Sequence, residues 1–299
     1  MSDQAQKLRD MVARETGVAP SSENGDEAPD PETRAEVITV TSGKGGVGKS
    51  NLAVNLGIAL SDSGYDVAVA DMDLGLANVN VITGSKPDYN LLDVLKGRRE
   101  IEDVLQDAPG GISILAGASG EEELANLSSE GCRNFVNQLA ELDRLVDVLI
   151  VDTSAGLSER VMQFVNAADR TILVTTPEPT AITDAYAIVK SALGDPPRPS
   201  MNLVINRADS IMEGKNVAEK MKRVGEQFLD APIRVLGYMT EDDAVMKAVR
   251  QRRPFYLEFP EARVSQCVSH IESRLMDGQE LQEPAGVGSF FSKLTGWWG

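Results

Sequence analysis

The sequence is poor in the residues that metal centres and disulfide frameworks require. It contains two cysteines, Cys132 and Cys267, and one histidine, His270, and their positions match neither a disulfide framework nor a metal-binding spacing. We therefore expect two reduced thiols and no role for His270. Basic residues are also scarce, because 29 Lys and Arg stand against 46 Asp and Glu, a net charge of -17. Since proteins that coat nucleic acid need clustered cations, direct nucleic-acid binding is not expected.

Long apolar runs are absent as well. No run approaches the roughly 20 residues of a membrane-spanning helix. The first residues are polar and charged and do not form an apolar leader. These absences predict a cytoplasmic protein, and its 42% of hydrophobic residues is ample for a packed core.

A glycine-rich segment is the clearest motif that is present. It follows the apolar run 37–40, precedes a helical pattern, and reads Gly43-Lys44-Gly45-Gly46-Val47-Gly48-Lys49-Ser50, with Asn51 next. The spacing G-x-x-x-x-G-K-S is that of a P-loop, in which backbone N–H groups and a helix N-terminus surround the phosphates of a nucleoside triphosphate. We expect the Lys49 ammonium to reach the β- and γ-phosphates and the Ser50 hydroxyl to bind Mg²⁺.

Apolar strands alternate with amphipathic helices between residues 36 and 276. Several strands are continuous Val, Ile and Leu runs, as in strands buried on both faces of a parallel sheet. The pattern predicts a doubly wound, mostly parallel α/β domain. The predicted strands are Val37–Thr41, Val67–Asp71, Ile112–Leu115, Val148–Asp152, Thr171–Val174, Asn202–Ile205 and Arg234–Tyr238. The predicted helices include Leu52–Ser63, Asn134–Leu145, Ala181–Ala192 and Val217–Phe228.

Three further segments flank this domain. Residues 1–15 predict a short helix with one apolar side. Residues 16–35 are rich in Pro, Ser, Gly and acids and predict a disordered acidic linker. Residues 277–299 predict a second linker that ends in an amphipathic helix.

Candidate catalytic carboxylates end two of the predicted strands, at the edge where such sheets bind ligands. Asp71 and Asp73 lie on one side of their strand, so that one can reach a metal ion and the other an attacking water. Asp152 ends another apolar strand in a Walker B arrangement that supports Mg²⁺, and the Gly156 N–H can reach the γ-phosphate. Any one of these carboxylates alone would be interpreted as a helix-cap or turn residue. The three carboxylates together with the P-loop indicate a nucleoside triphosphatase.

The segment from Lys44 to Ser50 resembles the deviant Walker A box of the MinD/ParA ATPases. The resemblance implies that Lys44 reaches across an ATP-dependent homodimer to the phosphates bound by the partner protomer. It also implies that Asp73 orients the attacking water and that Asn206 reads the adenine edge, with ATP and Mg²⁺ as cofactors. An amide side chain offers both the donor and the acceptor that adenine requires.

Within this family the chain is most similar to the flagellar-number regulators of the FlhG, FleN and YlxH branch. The similarity implies slow regulatory ATP hydrolysis that controls flagellar number or placement. Three departures are Met72, Asn80 and Met239-Thr240, which stand where the branch has a smaller residue, an aspartate and a proline. The matching segments are 71–80, 90–95, 116–120, 152–158, 177–186, 236–238 and 252–255.

The N-terminal segment resembles the one with which this branch stimulates a partner GTPase of the signal-recognition type, FlhF. From the residues alone, a frayed chain end is the simpler interpretation. The resemblance implies binding of an FlhF-type GTPase, and the branch also implies a flagellar transcription activator or switch protein as a partner. The residues that carry this similarity are Asp3, Gln4, Ala5, Leu8 and Arg9.

The C-terminal segment carries an aromatic stripe. On a helix its members fall within an arc of roughly 120°, and they are Phe290, Phe291, Leu294, Trp297 and Trp298. Such a stripe suits a helix at a membrane surface, and it also suits packing against its own domain. We expect both, with the helix stowed in the monomer and inserted in the ATP-bound dimer. The protein would then bind peripherally at the inner face of the cell membrane, including the cell pole.

Four alternatives share parts of this pattern. A division-site ATPase of the MinD type shares the core and the tail, but it usually lacks the N-terminal segment and linker. A ParA-type partition ATPase needs a basic surface, and only Arg250, Arg252 and Arg253 cluster here. Iron–sulfur relatives need paired cysteines. A nucleotide-locked adaptor of a transcription activator, with no required turnover, also stays open.

Overall fold

Eight strands form one sheet in the part of the chain that the computed structural model describes, residues 34–73, 78–117, 129–194, 198–228, 232–277 and 284–295. The strands are β1 (Glu36–Thr41), β2 (Val67–Met72), β3 (Leu105–Asp107), β4 (Ser113–Ala116), β5 (Val148–Thr153), β6 (Arg170–Thr175), β7 (Ser200–Ala208) and β8 (Arg234–Thr240). Their spatial order is β3-β4-β2-β5-β1-β6-β7-β8.

All neighbouring strands run parallel except β3 and β4, which pair antiparallel. The predicted doubly wound, mostly parallel α/β fold is confirmed, and all seven predicted strands are present. The short strand β3 is missing from the predicted set, because its three residues, Leu-Gln-Asp, are only partly buried and form no apolar run.

Helices connect the strands. They are α1 (Lys49–Asp62), α2 (Asn78–Thr83), α3 (Leu91–Leu95), α4 (Ile101–Val104), α5 (Ser129–Ala140), α6 (Glu159–Ala167), α7 (Pro179–Leu193), α8 (Ile211–Phe228), α9 (Asp243–Gln251), α10 (Phe255–Glu258), α11 (Arg263–Met276) and α12 (Val287–Thr295). Three of the predicted helices correspond to α1, α7 and α8, each of which begins before the predicted residue. None of these twelve helices is both long and apolar enough to cross a bilayer.

The predicted helix Asn134–Leu145 has the wrong bounds. The helix α5 ends at Ala140, and a 3₁₀ turn, Glu141–Arg144, follows it. In this turn the buried Asp143 carboxylate accepts from backbone N–H groups of two distant segments. A tertiary contact therefore overrides the helical pattern at this point.

Both faces of the sheet are covered. Ile38 and Val40 of β1 belong to a cluster with buried residues of α1 and α11. Val37, which points the other way, belongs to a cluster with residues of α5, α6 and α12. A third cluster joins β6 and β7 to α7 and α8. The chain thus buries alternate strand residues under different helices, as a doubly wound fold requires.

The C-terminal helix α12 packs on the domain. Phe290, Phe291 and Leu294 are 1%, 5% and 3% exposed. The Phe290 ring lies 6.0 Å from that of Phe164 in α6 and 5.0 Å from that of Phe291. Since burial of each large apolar side chain stabilises by roughly 1.5–3 kcal/mol, this contact holds the helix in place. The predicted stowed arrangement is therefore the one present in this structure.

A buried ion pair ties β1 to β6 at the amino-terminal edge of the sheet. Arg170 Nε lies 2.5 Å from Glu36 Oε1, and the two side chains are 7% and 10% exposed. Arg170 also donates a hydrogen bond to the Leu275 carbonyl at the end of α11. Burial raises the pKa of Glu36, and the Arg170 charge opposes that rise. Each partner therefore depends on the other for compensation of its charge.

We predict that Arg170→Met lowers the free energy of unfolding by about 3–5 kcal/mol, because it leaves the Glu36 carboxylate buried without its partner. Urea denaturation measures the loss. Arg144→Met is the matched control, because the Arg144 side chain is 59% exposed beside Glu141, and it should change stability by no more than about 0.5 kcal/mol. Equal losses in the two variants would contradict the assignment.

Candidate nucleotide-binding site

The loop between β1 and α1 forms a cradle of backbone amides. Gly45 and Gly46 are exposed, whereas Val47 is buried and anchors the loop in the core. Gly48 has a φ of 92°, and a Cβ atom there would lie 2.3 Å from Asn206 Nδ2, so only glycine fits. The loop therefore has the exposed glycines and the left-handed glycine conformation that are typical of a phosphate-binding loop.

The first turn of α1 brings a cation to the end of β5. Lys49 Nζ lies 2.6 Å from Asp152 Oδ1, and the two side chains are 7% and 0% exposed. Ser50 follows on the same turn and lies beside the same carboxylate. The carbonyl of Asn51 accepts a hydrogen bond within α1. Because the first N–H groups of a helix have no internal partners, this turn also offers donors to an anion.

Asp152 keeps one oxygen without a partner. No hydrogen bond from the described residues reaches its buried Oδ2, so this oxygen is available to a bound metal ion. The described residues contain no group of three or more His, Cys, Asp or Glu arranged to hold a metal ion. Mg²⁺ is commonly held by one or two carboxylates together with phosphate oxygens. The residues thus fit Mg²⁺ bound together with a nucleotide.

The parallel register of β2 and β5 places Asp71 beside Asp152. Asp71 is 3% exposed. Its Oδ1 accepts from the Asp73 N–H and its Oδ2 from the Val79 N–H, both at 3.1 Å. Asp71 thereby bridges the residue before segment 74–77 and the helix after it, while that segment lies outside the described residues. Asp73 is close enough to Asp152 to raise its pKa.

Burial dominates the titration of these carboxyls. It raises the pKa of Asp71 to about 6, a rise that the Val79 N–H opposes and the Asp152 charge reinforces. Burial likewise raises the pKa of Asp152, and the Lys49 ammonium opposes that rise. Carboxyls with displaced pKa values at one edge of a sheet are typical of a functional site.

Two groups that were predicted to contact the nucleotide are hydrogen-bonded to other residues of the protein. The Gly156 N–H donates to the Ser42 carbonyl at 2.8 Å, so this bond must break before the group can meet a phosphate. Asn206 Nδ2 donates to the Val47 carbonyl, and its Oδ1 accepts from the Arg207 N–H, both at 2.8 Å. An amide has two hydrogens and two lone pairs, so Asn206 keeps one of each for a base.

Lys44 is held on the outer side of the loop. Its Nζ lies 2.7 Å from Glu178 Oε2 and 2.9 Å from Thr180 Oγ1, and it lowers the pKa of Glu178. The preceding residue, Gly43, packs against the backbone of Asp184 in α7. The motifs alone do not identify Glu178 and Thr180 as contacts of Lys44, although both lie in segment 177–186.

Several residues predicted to bind a membrane or a partner cannot be placed in this way. They lie outside the described residues and are Asp3, Gln4, Ala5, Leu8, Arg9, Trp297 and Trp298. Their roles stay predictions.

A family model agrees with this geometry. The model of the CobQ/CobB/MinD/ParA nucleotide binding domain matches residues 38–255, which span the loop, the carboxylates and Asn206. The chain belongs to this family. As a MinD/ParA-type protein it is a P-loop ATPase.

Individual relatives and solved structures extend the comparison. The antiactivator FleN of Pseudomonas aeruginosa is 40% identical over 256 residues, with 86% of this chain and 91% of FleN covered. The flagellum site-determining protein YlxH of Helicobacter pylori is 36% identical over 263 residues, with 86% and 88% covered.

Among solved structures, a chain of the MinC:MinD cell division protein complex of Aquifex aeolicus has a TM-score of 0.67 and 27% identity, with 82% of this chain and 97% of that chain covered. The septum site-determining protein MinD of Pyrococcus horikoshii, complexed with Mg-ADP, has a TM-score of 0.66 and 25% identity, with 81% and 96% covered. The MinD/ParA fold is thus shared over nearly the whole of each solved chain.

The raised pKa of Asp71 predicts how stability depends on pH. A carboxyl whose pKa is higher in the folded protein binds its proton more tightly there, so the free energy of unfolding rises as pH falls. We expect the nucleotide-free protein to be more stable at about pH 5.5 than at about pH 7.5. Urea denaturation at both values measures this. Asp71→Asn should show a smaller difference, and an unchanged difference would contradict the assignment.

Proposed function

We propose that this MinD/ParA ATPase is an ATP- and Mg²⁺-dependent monomer–dimer switch that regulates flagellar number or placement. Its membership of the family supports slow ATP hydrolysis as the reaction. Its similarity to an antiactivator, FleN, and to a flagellum site-determining protein, YlxH, supports a flagellar output over cell division.

The position of Lys44 carries the dimer proposal. The loop contains two lysines, yet only Lys49 contacts the carboxylate of the site. Lys44 is bonded to Glu178 and Thr180 at the surface, with its side chain 39% exposed. An exposed ion pair contributes little to stability, so the phosphates of a second protomer can compete for this ammonium. Lys44 would then act in trans, as arginine fingers do.

The remaining residues have separate tasks within one protomer. Lys49 neutralises phosphate charge, and Asp73 holds the attacking water. Asp71 positions Asp73 and the start of α2 through its bonds to the N–H groups of Asp73 and Val79. When bound, Mg²⁺ would neutralise charge on the β- and γ-phosphates, held by Ser50 and Asp152. Asn206 selects adenine through its remaining donor and acceptor.

The two termini of the chain carry the interactions with the membrane and with partner proteins. Helix α12 buries Phe290, Phe291 and Leu294 on the domain, so it must leave the domain before these side chains can enter a membrane. We propose that ATP-dependent dimerisation releases α12 and that two such helices bind the inner face of the membrane together. Residues 1–15 engage an FlhF-type GTPase, and a flagellar transcription activator or switch protein is a further partner.

We predict that Asp73→Ala, with ATP and Mg²⁺, slows hydrolysis by about 100-fold or more, because the water is no longer held, and accumulates the dimer. Size-exclusion chromatography with light scattering measures the dimer, and phosphate release measures turnover. Lys44→Ala should stay monomeric with ATP. Asp88→Ala, at an exposed carboxylate in the loop after α2, is the control and should behave as the parent protein. An Asp73→Ala protein that stays monomeric with ATP would refute the switch.

The membrane role of the tail gives a second prediction. Replacing Trp297 and Trp298 by serine should abolish ATP-dependent cosedimentation with anionic liposomes, because both interfacial anchors are lost. ATP affinity and dimerisation should be unchanged, since the buried face of α12 is kept. Binding of the parent protein with ADP is the control. Undiminished cosedimentation of the variant would remove the membrane from the proposal.

A further inference from the structure

Two carboxylates accept hydrogen bonds from distant parts of the chain at the amino-terminal edge of the sheet. Asp143 lies in the 3₁₀ turn after α5 and is 6% exposed. Asp169 lies directly before β6 and is half-buried. Neither residue belongs to the nucleotide site, which lies at the opposite, carboxyl-terminal edge of the strands.

Asp143 joins the start of β1 to the start of α12. Its Oδ1 accepts from the Ala35 N–H at 3.1 Å and from the Val287 N–H at 2.7 Å. Its Oδ2 accepts from the Gly288 N–H at 3.4 Å. Two segments more than 250 residues apart in sequence thus share one carboxylate.

Asp169 repeats the arrangement with neighbouring residues. Its Oδ2 accepts from the Val37 N–H and its Oδ1 from the Ala285 N–H, both at 2.9 Å. Asp143 and Asp169 thus each accept from a backbone N–H at the start of β1, at Ala35 or Val37. Each also accepts from residues 285–288, which we define as the root of α12.

The root of α12 is shaped for this contact. Gly286 has a φ of 84°, and a Cβ atom there would lie 3.0 Å from both oxygens of Asp143. An L-side chain would therefore be strained and would crowd the carboxylate. The glycine allows the backbone to approach closely enough for the N–H groups of Val287 and Gly288 to reach Asp143.

We propose that Asp143 and Asp169 form a clasp that couples the start of β1 to the docking of α12. If α12 left the domain, Asp143 would lose two of its three donors and Asp169 one of its two. The remaining bonds to Ala35 and Val37 would then compete with water and weaken. By linkage, anything that loosens the start of β1 weakens the docking of α12 by the same factor.

The coupling has a consequence for the two tails. The predicted linker, residues 16–35, joins the N-terminal partner-binding segment to β1, and α12 carries Phe290, Phe291 and Leu294 of the aromatic stripe. A partner whose binding to the N-terminal segment loosens the start of β1 would therefore favour release of α12. Binding of α12 to a membrane would in turn loosen the start of β1. This physiological meaning rests on the proposed function, whereas the clasp itself is a property of the nucleotide-free protein.

Amide hydrogen exchange followed by NMR in the full chain, without nucleotide, tests the clasp. Val287→Pro removes the N–H that Asp143 accepts, and proline is compatible with the first position of a helix. We expect exchange at Ala35 and Val37 to accelerate about 5-fold or more, together with that of α12. Exchange within β5 should be unchanged.

Lys293→Ala is the matched control, because it removes a bond from the far part of α12 to the Ala167 carbonyl and leaves the clasp intact. It should leave exchange at Ala35 and Val37 within about twofold. The proposal is overturned if Val287→Pro accelerates exchange in α12 alone, or if Lys293→Ala accelerates exchange at Ala35 as strongly while exchange in α12 is unchanged.

If Val287→Pro accelerates exchange throughout the sheet, that variant cannot isolate the clasp. Gly286→Ala then provides an independent test. It displaces the root of α12 by its Cβ while every N–H donor is kept, and it should again accelerate exchange at Ala35 and Val37. No acceleration there would equally overturn the clasp. Because no ATP is added, a failure of ATP-dependent dimerisation would not alter any of these outcomes.

Discussion

The buried contact between Lys49 Nζ and Asp152 Oδ1 is the constraint on which the site depends. Neither charge tolerates burial alone, because removal of one partner of such a pair costs about 3–5 kcal/mol. The contact exists only because β1 and β5 are parallel neighbours, so that the P-loop and the end of β5 meet at one edge of the sheet. The same register brings Asp71 to Asp152, and Asp71 in turn fixes the first residues of α2. The P-loop, the Asp152 carboxylate and the Asp71 carboxylate thus meet at one edge because of one strand arrangement.

The two lysines of the loop differ in burial and in the strength of their contacts. Lys49 is committed to the interior of its own protomer, whereas Lys44 is held at the surface by a weak, exposed pair with Glu178. The buried contact maintains the site, and the proposed dimer switch requires that the exposed contact be exchanged for a partner's phosphates. The same contrast holds at the other edge of the sheet, where apolar burial holds α12 and a few charge-assisted hydrogen bonds connect it to the start of β1.

Some features had no signal in the sequence. Asp143 and Asp169 stand in ordinary helical and strand-flanking positions, and nothing local marks them as acceptors for residues more than 100 positions away. The strand β3 is too short and polar to predict. The bonds that occupy Gly156 and Asn206 also depend on how neighbouring loops meet, which spacing along the chain does not encode.

By itself, the sequence determined the alternation of apolar strands with helices, the P-loop with its two lysines, the strand-end carboxylates and the aromatic stripe. These are local patterns, each set by periodicity or by the chemistry of one motif. Only the tertiary structure decided which groups Lys44 contacts, which donors occupy Asp71, and that Phe290, Phe291 and Leu294 lie buried in the domain. Those outcomes depend on strand order and on contacts between segments far apart in the chain, because hydrogen bonds and burial are satisfied by whatever the fold brings near.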